Sequence, residues 1–221
     1  MKRKAELYMD DVHLLIVLWV SFFALLAGIC GANEEDRSHW EERYATPEYV
    51  FGKEPVEFLK ENVELLPKGR AIVLAMGEGR NAVFLAQEGF EVEGCDISTH
   101  ALEKARRLAL EKGVSMRAFQ ADLDNYLLFR QTYDVVACFY YLQRGLIPQM
   151  KAALKPGGMI IMETYTKDNL KYGFSGPKNP DYLLDTNELL HLFSGLKVIL
   201  YREMVVEGRK AVASIIAQRV E

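Results

Sequence analysis

The sequence predicts an α/β protein built on a mostly parallel β-sheet. Beyond residue 33, short apolar runs alternate with amphipathic stretches, and the turns between them are short. The last two strand-like runs are separated only by Met204–Arg209. Because so short a link does not hold a crossover helix, this last pair is expected to be antiparallel.

The predicted elements follow one another in a regular order. Residues Ser38–Tyr44 and Pro55–Leu66 are expected to be helical, and Pro67-Lys68-Gly69 then breaks the chain. The predicted parallel strands are Ala71–Ala75, Glu91–Cys95, Ser115–Gln120, Tyr133–Cys138 and Met159–Glu163. The helices between them are expected at about Gly79–Glu88, Ser98–Lys112 (with Ser98 or Thr99 as N-cap) and Gly145–Leu154. The terminal strands are expected at Leu196–Glu203 and Lys210–Gln218.

The composition is that of a single globular domain without an evident nucleic-acid or metal site. The chain has 221 residues and a net charge of −4, so no large positive field is available to hold a phosphate backbone. The four histidines and three cysteines are widely spaced, in no pattern typical of a zinc site or a disulfide framework.

An uncharged apolar segment, Leu14–Ala32, precedes the domain. Its 19 residues, as a helix, would just span the hydrocarbon core of a bilayer. We expect an uncleaved membrane anchor, and a cleaved signal peptide or a wrongly assigned start remain as alternatives. The apolar run is long for a signal peptide, and Asp10 and Asp11 are unusual in its charged leader. Residues 1–37 are therefore assigned to this segment and its linker, and residues 38–221 to the domain.

A glycine turn follows the first predicted strand. Gly77 and Gly79 stand between a strand and a helix, where glycine lets the backbone turn tightly and approach a ligand. Asp96 ends the second strand about 20 residues later, where a carboxylate can accept both hydroxyls of a ribose. Residues 77–82 also fit the fingerprint of a nicotinamide dinucleotide. Because Glu78 would repel a pyrophosphate, the sequence favours S-adenosylmethionine, which carries a cationic sulfonium and no phosphate.

A further carboxylate follows the third predicted strand. Asp122 is expected to accept a hydrogen bond from an adenine amino group, with Leu123 packed on the ring. The alternative is that Asp122 caps a turn.

Together these motifs resemble class I methyltransferases of the tellurite-resistance type, and more distantly those of the thiopurine type. The stretches concerned lie between residues 38 and 219: Trp40-Glu-Glu-Arg-Tyr44, Phe51-Gly52, Gly77-Glu-Gly-Arg-Asn81, Asp96-Ile97-Ser98, Leu154-Lys-Pro-Gly-Gly158 and Glu163-Thr-Tyr165. The resemblance implies a Rossmann-like, seven-stranded sheet in the order 3-2-1-4-5-7-6, with S-adenosylmethionine over the first two strand ends.

The resemblance also implies which residues contact the cofactor. Trp40, Tyr44 and Phe51 are expected to close over it, and Arg80 to lie near its carboxylate. The other expected contacts are Gly77, Gly79, Asn81, Asp96, Ile97, Asp122, Leu123 and Phe139. Val73 departs from the family, which commonly has an acidic residue at this position of the first strand. A degenerate protein that binds S-adenosylmethionine without catalysis therefore remains an alternative, as does a nicotinamide-dependent oxidoreductase.

The expected reaction is methyl transfer to a small-molecule acceptor, with a thiol or a metalloid as candidates. The leaving group is already good, so alignment of nucleophile and methyl group supplies much of the catalysis. Tyr140, Tyr141 and Tyr165, near the ends of the fourth and fifth strands, are the tentative acceptor contacts, and Tyr172–Pro177 is a candidate lid. No catalytic base and no metal ligand are assigned.

The cofactor also predicts a location. S-adenosylmethionine is a cytosolic metabolite, so we expect a single-pass anchor with the catalytic domain in the cytoplasm. A cytoplasmic protein with a wrongly assigned start, and an exported protein, are the alternatives.

Overall fold

The structure, a computed structural model, describes residues 34–173 and 175–220. The chain divides into two compact units after Trp40. Helix α1 covers residues 34–44. The predicted anchor, Leu14–Ala32, lies outside the described residues. Within the described ranges, no helix has both the length and the apolar composition needed to cross a bilayer.

Seven strands form one sheet in the order β3-β2-β1-β4-β5-β7-β6. Strands β1 to β5 run parallel to one another, and β7 is antiparallel to both β5 and β6. The sheet order and the terminal antiparallel pair are therefore confirmed. The strands are β1 (Arg70–Leu74), β2 (Glu91–Asp96), β3 (Arg117–Gln120), β4 (Tyr133–Phe139), β5 (Leu154–Tyr165), β6 (Lys197–Val206) and β7 (Lys210–Gln218).

Three of the helices lie between the parallel strands where the amphipathic stretches predict them. At the start of α4, the Ser98 hydroxyl accepts a hydrogen bond from the Ala101 N–H at 3.2 Å, so Ser98 is the N-cap. The helices are α2 (Glu57–Asn62), α3 (Arg80–Gln87), α4 (Thr99–Glu111), α5 (Ile147–Ala153), α6 (Asp168–Lys171) and α7 (Glu188–Leu192).

Each face of the sheet is covered by its own apolar cluster. Side chains alternate along a strand, so Ala71 and Val73 of β1 pack with residues of α2, α3 and α4, whereas Ile72 and Leu74 pack with residues of α5 and α7. Both faces are buried, as expected for a parallel sheet whose strands are almost continuously apolar.

Two of the boundaries that differ from the prediction have a clear physical reason. Strand β5 begins at Leu154, which pairs with Tyr133, and the pairing then shifts so that Met159 lies opposite Val135. The Lys155–Gly158 stretch is thus a bulge inside the strand and not a loop before it. Strand β6 continues to Val206 because Glu207 and Gly208 both adopt positive φ (53° and 62°), the backbone of a tight hairpin turn.

The carboxyl ends of β1, β2, β4 and β5 meet at one edge of the sheet. Two residues other than glycine have left-handed backbone here: Ala75 after β1 (φ 47°) and Tyr140 after β4 (φ 58°). Such conformations carry strain and are concentrated at functional sites.

Candidate cofactor and acceptor site

The glycine turn after β1 is sterically unable to accept side chains. Gly77 and Gly79 have φ values of 55° and 88°. A Cβ on Gly79 would lie 2.6 Å from the Ala105 Cβ of α4, and one on Gly77 would lie 3.0 Å from the Tyr44 hydroxyl. The first glycine therefore makes room for Tyr44, and the second lets α3 pack closely on α4.

Glu78, between the two glycines, holds the loop before α2 against the turn. Its carboxylate accepts hydrogen bonds from the main-chain N–H groups of Val50 (3.0 Å) and Phe51 (3.2 Å). It also forms a buried ion pair with Lys104 at 2.7 Å. This geometry changes one step of the sequence interpretation. Because the Glu78 charge is compensated by Lys104, repulsion by Glu78 does not by itself exclude a pyrophosphate.

Asp96, at the end of β2, is buried and faces the glycine turn. One carboxylate oxygen accepts the Gly77 N–H at 2.7 Å, and the other accepts the Ser98 N–H at 3.0 Å. Burial raises the pKa of Asp96 to about 6, although these N–H donors act to lower it. Since each oxygen keeps a second lone pair, the carboxylate is still able to accept two further hydrogen bonds.

Glu41 is a site residue that the sequence interpretation missed. Its carboxylate accepts hydrogen bonds from the main-chain N–H groups of Thr99 (2.8 Å) and His100 (3.1 Å) and from the Ser98 hydroxyl (2.7 Å). Burial acts to raise the pKa of Glu41, but these bonds outweigh it and lower the pKa to about 2. A carboxylate from α1 thus caps α4 next to Asp96. The sequence signal was its place beside Trp40 in the first family motif.

Tyr44 and Phe51 lie together over the turn, with Arg80 beside them. The Tyr44 and Phe51 rings meet edge to face at 6.2 Å, and the Arg80 guanidinium donates to the Phe51 carbonyl at 2.9 Å. Burial, with Asp96 and Glu78 nearby, raises the pKa of the Tyr44 phenol, which therefore stays neutral. The structure brings all three predicted residues to the glycine turn.

Several predicted contacts have structural partners of their own. The Asn81 side-chain oxygen accepts the Val56 N–H at 2.9 Å and so holds the start of α2. Asp122 accepts the Asp124 N–H at 3.0 Å and the Asn125 side-chain N–H at 2.9 Å. Asp122 thus caps a turn, as the alternative interpretation has it, and an adenine contact remains a prediction.

The remaining predicted cofactor contacts are apolar. Leu123 and Phe139 are buried in opposite clusters of the core. Ile97 is half-buried after β2, and its carbonyl accepts the Gln120 side-chain N–H at 2.9 Å. Trp40 belongs to the N-terminal unit, where its ring lies 5.4 Å from that of His39. Cofactor contacts for these four residues remain predictions.

The ends of β4 and β5 hold a group of polar side chains. The Tyr140 hydroxyl donates to Glu163 Oε1 at 2.9 Å, and the Tyr140 and Tyr165 rings lie 5.1 Å apart. The Arg80 guanidinium lies 5.8 Å from the centre of the Tyr140 ring, so this group adjoins the glycine turn. Two of the three tentative acceptor residues therefore come together here.

Tyr141 is turned elsewhere. Its hydroxyl donates to the Gln143 side chain at 2.9 Å, and its carbonyl accepts the Cys138 thiol at 3.6 Å. Burial raises the pKa of Cys138 to about 12, so this thiol is inert.

The candidate lid is described only in part, because residue 174 lies outside the described ranges. Beside it, the buried Asn169 side chain donates to the Ser175 carbonyl at 2.9 Å, and a Cβ on Gly176 would lie 3.1 Å from the Tyr165 ring. These contacts place residues 175 and 176 next to Tyr165.

The groups present at the turn fit S-adenosylmethionine. Asp96 keeps acceptor capacity for ribose hydroxyls. Gly77 and Gly79 give the tight turn between β1 and α3 that such a ligand requires. Arg80 has no carboxylate within ion-pair distance in the described part of the chain, so its charge is available to a ligand carboxylate.

Comparison with known proteins supports this fit. Residues 72–158 match a family described as "Methyltransferase domain". The chain is 29% identical over 126 residues to a ubiquinone biosynthesis O-methyltransferase of Vibrio parahaemolyticus, with 54% of each protein covered. The chain spans about half the length of the curated relatives it matches.

Solved structures show the same fold at low identity. A protein studied for the conversion of a disulfide bond into a thioacetal group during echinomycin biosynthesis has a TM-score of 0.65 at 16% identity, covering 85% of this chain and 92% of that one. An S-adenosylmethionine-dependent methyltransferase of Mesorhizobium loti has a TM-score of 0.60 at 19% identity, covering 74% and 98%. Residues 72–158 are thus similar to a methyltransferase domain, and the sheet order and the glycine turn agree with that match.

Proposed function

We propose that the protein transfers the methyl group of S-adenosylmethionine to a small-molecule acceptor, with a thiol or a metalloid as the first candidates. The observation that carries this proposal is the adjacency of two groups at one sheet edge. The glycine turn with Asp96 forms one group, and Tyr140 with Tyr165 forms the other, joined by Arg80. The resemblance to the tellurite-resistance and thiopurine types supports a soft nucleophile.

The candidate-site residues have two proposed roles, binding of the cofactor and alignment of the acceptor. Asp96 would hold the ribose hydroxyls, Arg80 the carboxylate, and Tyr44 with Phe51 would cover the ligand and exclude water. When bound, S-adenosylmethionine supplies an electrophilic methyl group and a neutral thioether as leaving group. Tyr140 and Tyr165 would position the acceptor, and correct alignment supplies much of the rate enhancement.

A hydroxyl compound is the second candidate acceptor. One relative of the chain is an O-methyltransferase, and a hydroxyl nucleophile is helped by a group that takes its proton. The contact between Tyr140 and the buried Glu163 carboxylate provides such a group.

An acceptor panel tests the proposed function. The protein is incubated with S-adenosylmethionine and, in separate reactions, with alkyl and aryl thiols, tellurite and selenite, phenols, amines and carboxylates. S-adenosylhomocysteine is then measured by mass spectrometry. We expect turnover with at least one thiol, metalloid or phenol and none with amines or carboxylates.

Binding assays separate the alternatives. S-adenosylmethionine should raise the melting temperature and NADH should not. Binding without turnover on any acceptor would indicate a degenerate binding protein, and stabilisation by NADH alone would indicate an oxidoreductase.

A further inference from the structure

A tyrosine and a glutamate are held in fixed contact at the ends of β4 and β5. The Tyr140 hydroxyl donates to Glu163 Oε1 at 2.9 Å, and the Tyr140 N–H donates to the Glu163 carbonyl at 2.8 Å. Tyr140 reaches this position with left-handed backbone at φ 58°. A strained conformation of this kind persists only where its surroundings enforce it. The paired main-chain and side-chain bonds do so here.

The other oxygen of Glu163 is fixed as well. The Ser214 hydroxyl donates to Oε2 at 2.7 Å, and the Arg202 guanidinium lies 3.7 Å from the same oxygen. Arg202 is shared with Glu61 at 3.1 Å. The carboxylate is buried, with 2% of its surface exposed, yet its charge is compensated. Within the described part of the chain, the hydrogen bond from the Tyr140 hydroxyl links this carboxylate to the ends of β4 and β5.

Three further side chains surround the tyrosine. The Lys210 ammonium of β7 lies 3.5 Å from the Tyr140 hydroxyl, Arg80 of α3 lies 5.8 Å from the ring centre, and the Tyr165 ring of β5 lies 5.1 Å away. Tyr140 thus stands between a buried carboxylate and the edge of the sheet where the glycine turn lies.

We propose that Glu163 is the proton acceptor of the methyl transfer and that Tyr140 relays the proton to it. The proposal rests on the proposed function. It applies to acceptors whose nucleophile carries a proton, either a hydroxyl or a thiol.

The step balances without any further reactant. The acceptor gives its proton to the Tyr140 oxygen while Tyr140 passes its own proton to Glu163 Oε1. The electron pair released on the acceptor atom forms the new bond to the methyl carbon. The pair of the broken carbon–sulfur bond stays on the departing sulfur. Glu163 ends the step neutral and Tyr140 unchanged, and the proton returns to water after product release.

The surroundings make Tyr140 a relay and not a base. Burial and the adjacent Glu163 carboxylate raise the pKa of the Tyr140 phenol, so no tyrosinate exists at neutral pH. The Tyr140 oxygen donates to Glu163 and accepts a hydrogen bond from Lys210 at 3.5 Å, which leaves one lone pair with which to take the acceptor's proton.

Paired acceptors test the relay. Phenol and benzyl mercaptan carry a proton at pH 8, whereas 4-nitrophenol and thiophenol are largely ionised. With the full chain, Glu163→Gln should lower kcat about 100-fold on the protonated member of a pair and less than threefold on the ionised member. KM should change little. On the protonated acceptor, kcat of the variant should rise about tenfold per pH unit between pH 7 and pH 9, because ionisation in water replaces the relay.

Three controls make the result decisive. Tyr140→Phe leaves the Ser214 contact of Glu163 intact and should give the same acceptor-dependent loss. Another tyrosine–glutamate pair lies on β6, where half-buried Tyr201 contacts exposed Glu203. Tyr201→Phe should leave kcat unchanged on both members of each acceptor pair. Calorimetry should show the same S-adenosylmethionine affinity for wild type and Glu163→Gln, independently of turnover.

Two results would overturn the relay while the proposed function stands. One is full activity of both variants on protonated acceptors. The other is equal loss on ionised and protonated acceptors, which would indicate a structural role. A wild-type protein that binds S-adenosylmethionine but methylates nothing contradicts the proposed function, and the relay with it.

Discussion

Asp96 joins the end of β2 to the glycine turn through its two carboxylate oxygens. Its position at the strand end follows from the sequence alone. Its bonds to the Gly77 and Ser98 N–H groups, and the raised pKa, do not follow, because they depend on how deeply two loops bury the carboxylate. A ligand hydroxyl needs the ionised form as acceptor, so binding should depend on pH in a range where water-exposed aspartates are fully charged.

We predict that S-adenosylmethionine affinity falls about tenfold between pH 7.5 and pH 5. With a pKa of about 6, Asp96 is ionised at the upper pH and mostly protonated at the lower one. Asp96→Ala should lose about 1–3 kcal/mol of binding at pH 7.5 and become insensitive to pH over this range. Isothermal titration calorimetry measures both effects.

The control for Asp96 is Asp181→Asn, an exposed carboxylate that should leave the affinity unchanged. Unaltered binding by Asp96→Ala would remove Asp96 from the cofactor site.

At the scale of elements, the contact between Glu41 and the first turn of α4 is the main local determinant of the site's shape. The carboxylate satisfies N–H groups that no intrahelical bond reaches, and it lies at the positive end of the helix dipole. It therefore ties residues 41–44, including Tyr44, to the helix that follows Asp96.

Glu41→Ala should lower the free energy of unfolding by about 1–2 kcal/mol at pH 7, as loss of a helix cap does. Because the folded-state pKa is depressed to about 2, the contribution is complete above the ordinary value of 4.5 and is lost as pH falls from 4.5 towards 2. Urea unfolding at pH 7 and pH 3 measures this. Glu42 is an exposed neighbour, and Glu42→Ala should change the free energy of unfolding little at either pH. Equal effects of the two substitutions would contradict a capping role for Glu41.

Strand β1 poses a separate question at Val73, where the family commonly has a carboxylate. Val73 is 1% exposed and belongs to an apolar cluster that includes Met76 and Phe139. The side chains of this cluster are all apolar, so a carboxylate at position 73 finds no cation among them. Val73→Asp should therefore cost about 3 kcal/mol or more of stability.

Val73→Asn serves as control, because asparagine has the shape of aspartate without its charge. It should lower the stability less than Val73→Asp does. Thermal denaturation gives the stabilities, and calorimetry gives the affinity for S-adenosylmethionine. Tighter binding by a folded Val73→Asp protein would show instead that the pocket still accommodates the family's carboxylate.

The strands and long helices were predictable because each carries its own periodic pattern. Helix α4 and strand β7 are close to their predicted bounds for this reason. The bulge at Lys155–Gly158 was not predictable from the sequence, because Pro-Gly-Gly after a helix ordinarily indicates a turn. The tight turn at Glu207-Gly208 was missed because glutamate seldom takes positive φ.

In the candidate site too, residues with a local sequence pattern could be predicted, and residues brought in by tertiary contacts could not. Gly77, Gly79 and Asp96 could be predicted to lie together because their spacing along the chain places them at adjacent strand ends. Lys210 and Ser214 come beside Tyr140 and Glu163 only because β7 returns antiparallel to β5. No local pattern in the sequence predicts that these side chains come together.

At the scale of the whole molecule, the catalytic domain should fold without the N-terminal segment. From Glu41 onward the residues form one compact unit. A shortened chain that begins at Asn33 should therefore be soluble and bind S-adenosylmethionine as tightly as the full chain, measured by calorimetry. Aggregation of the shortened chain, or loss of binding, would contradict this independence.

For the full chain, we predict a domain on the cytoplasmic side of a membrane, anchored by Leu14–Ala32. Fractionation with protease protection checks this. A protected domain in the membrane pellet supports the anchor, and a secreted product of cleaved length refutes it.

The position of β7 has a consequence for how the protein is made. It is the last of the seven strands in the sequence, yet it lies between β5 and β6 and pairs with both along most of its length. During synthesis, β5 and β6 emerge from the ribosome before the strand that joins them does. Until residue 218 has emerged, β5 and β6 each have an unpaired edge at the position that β7 occupies in the folded sheet. Such edges readily accept a foreign strand. While β6 is outside the ribosome and β7 is not, the edges of β5 and β6 that β7 later covers are therefore exposed to aggregation.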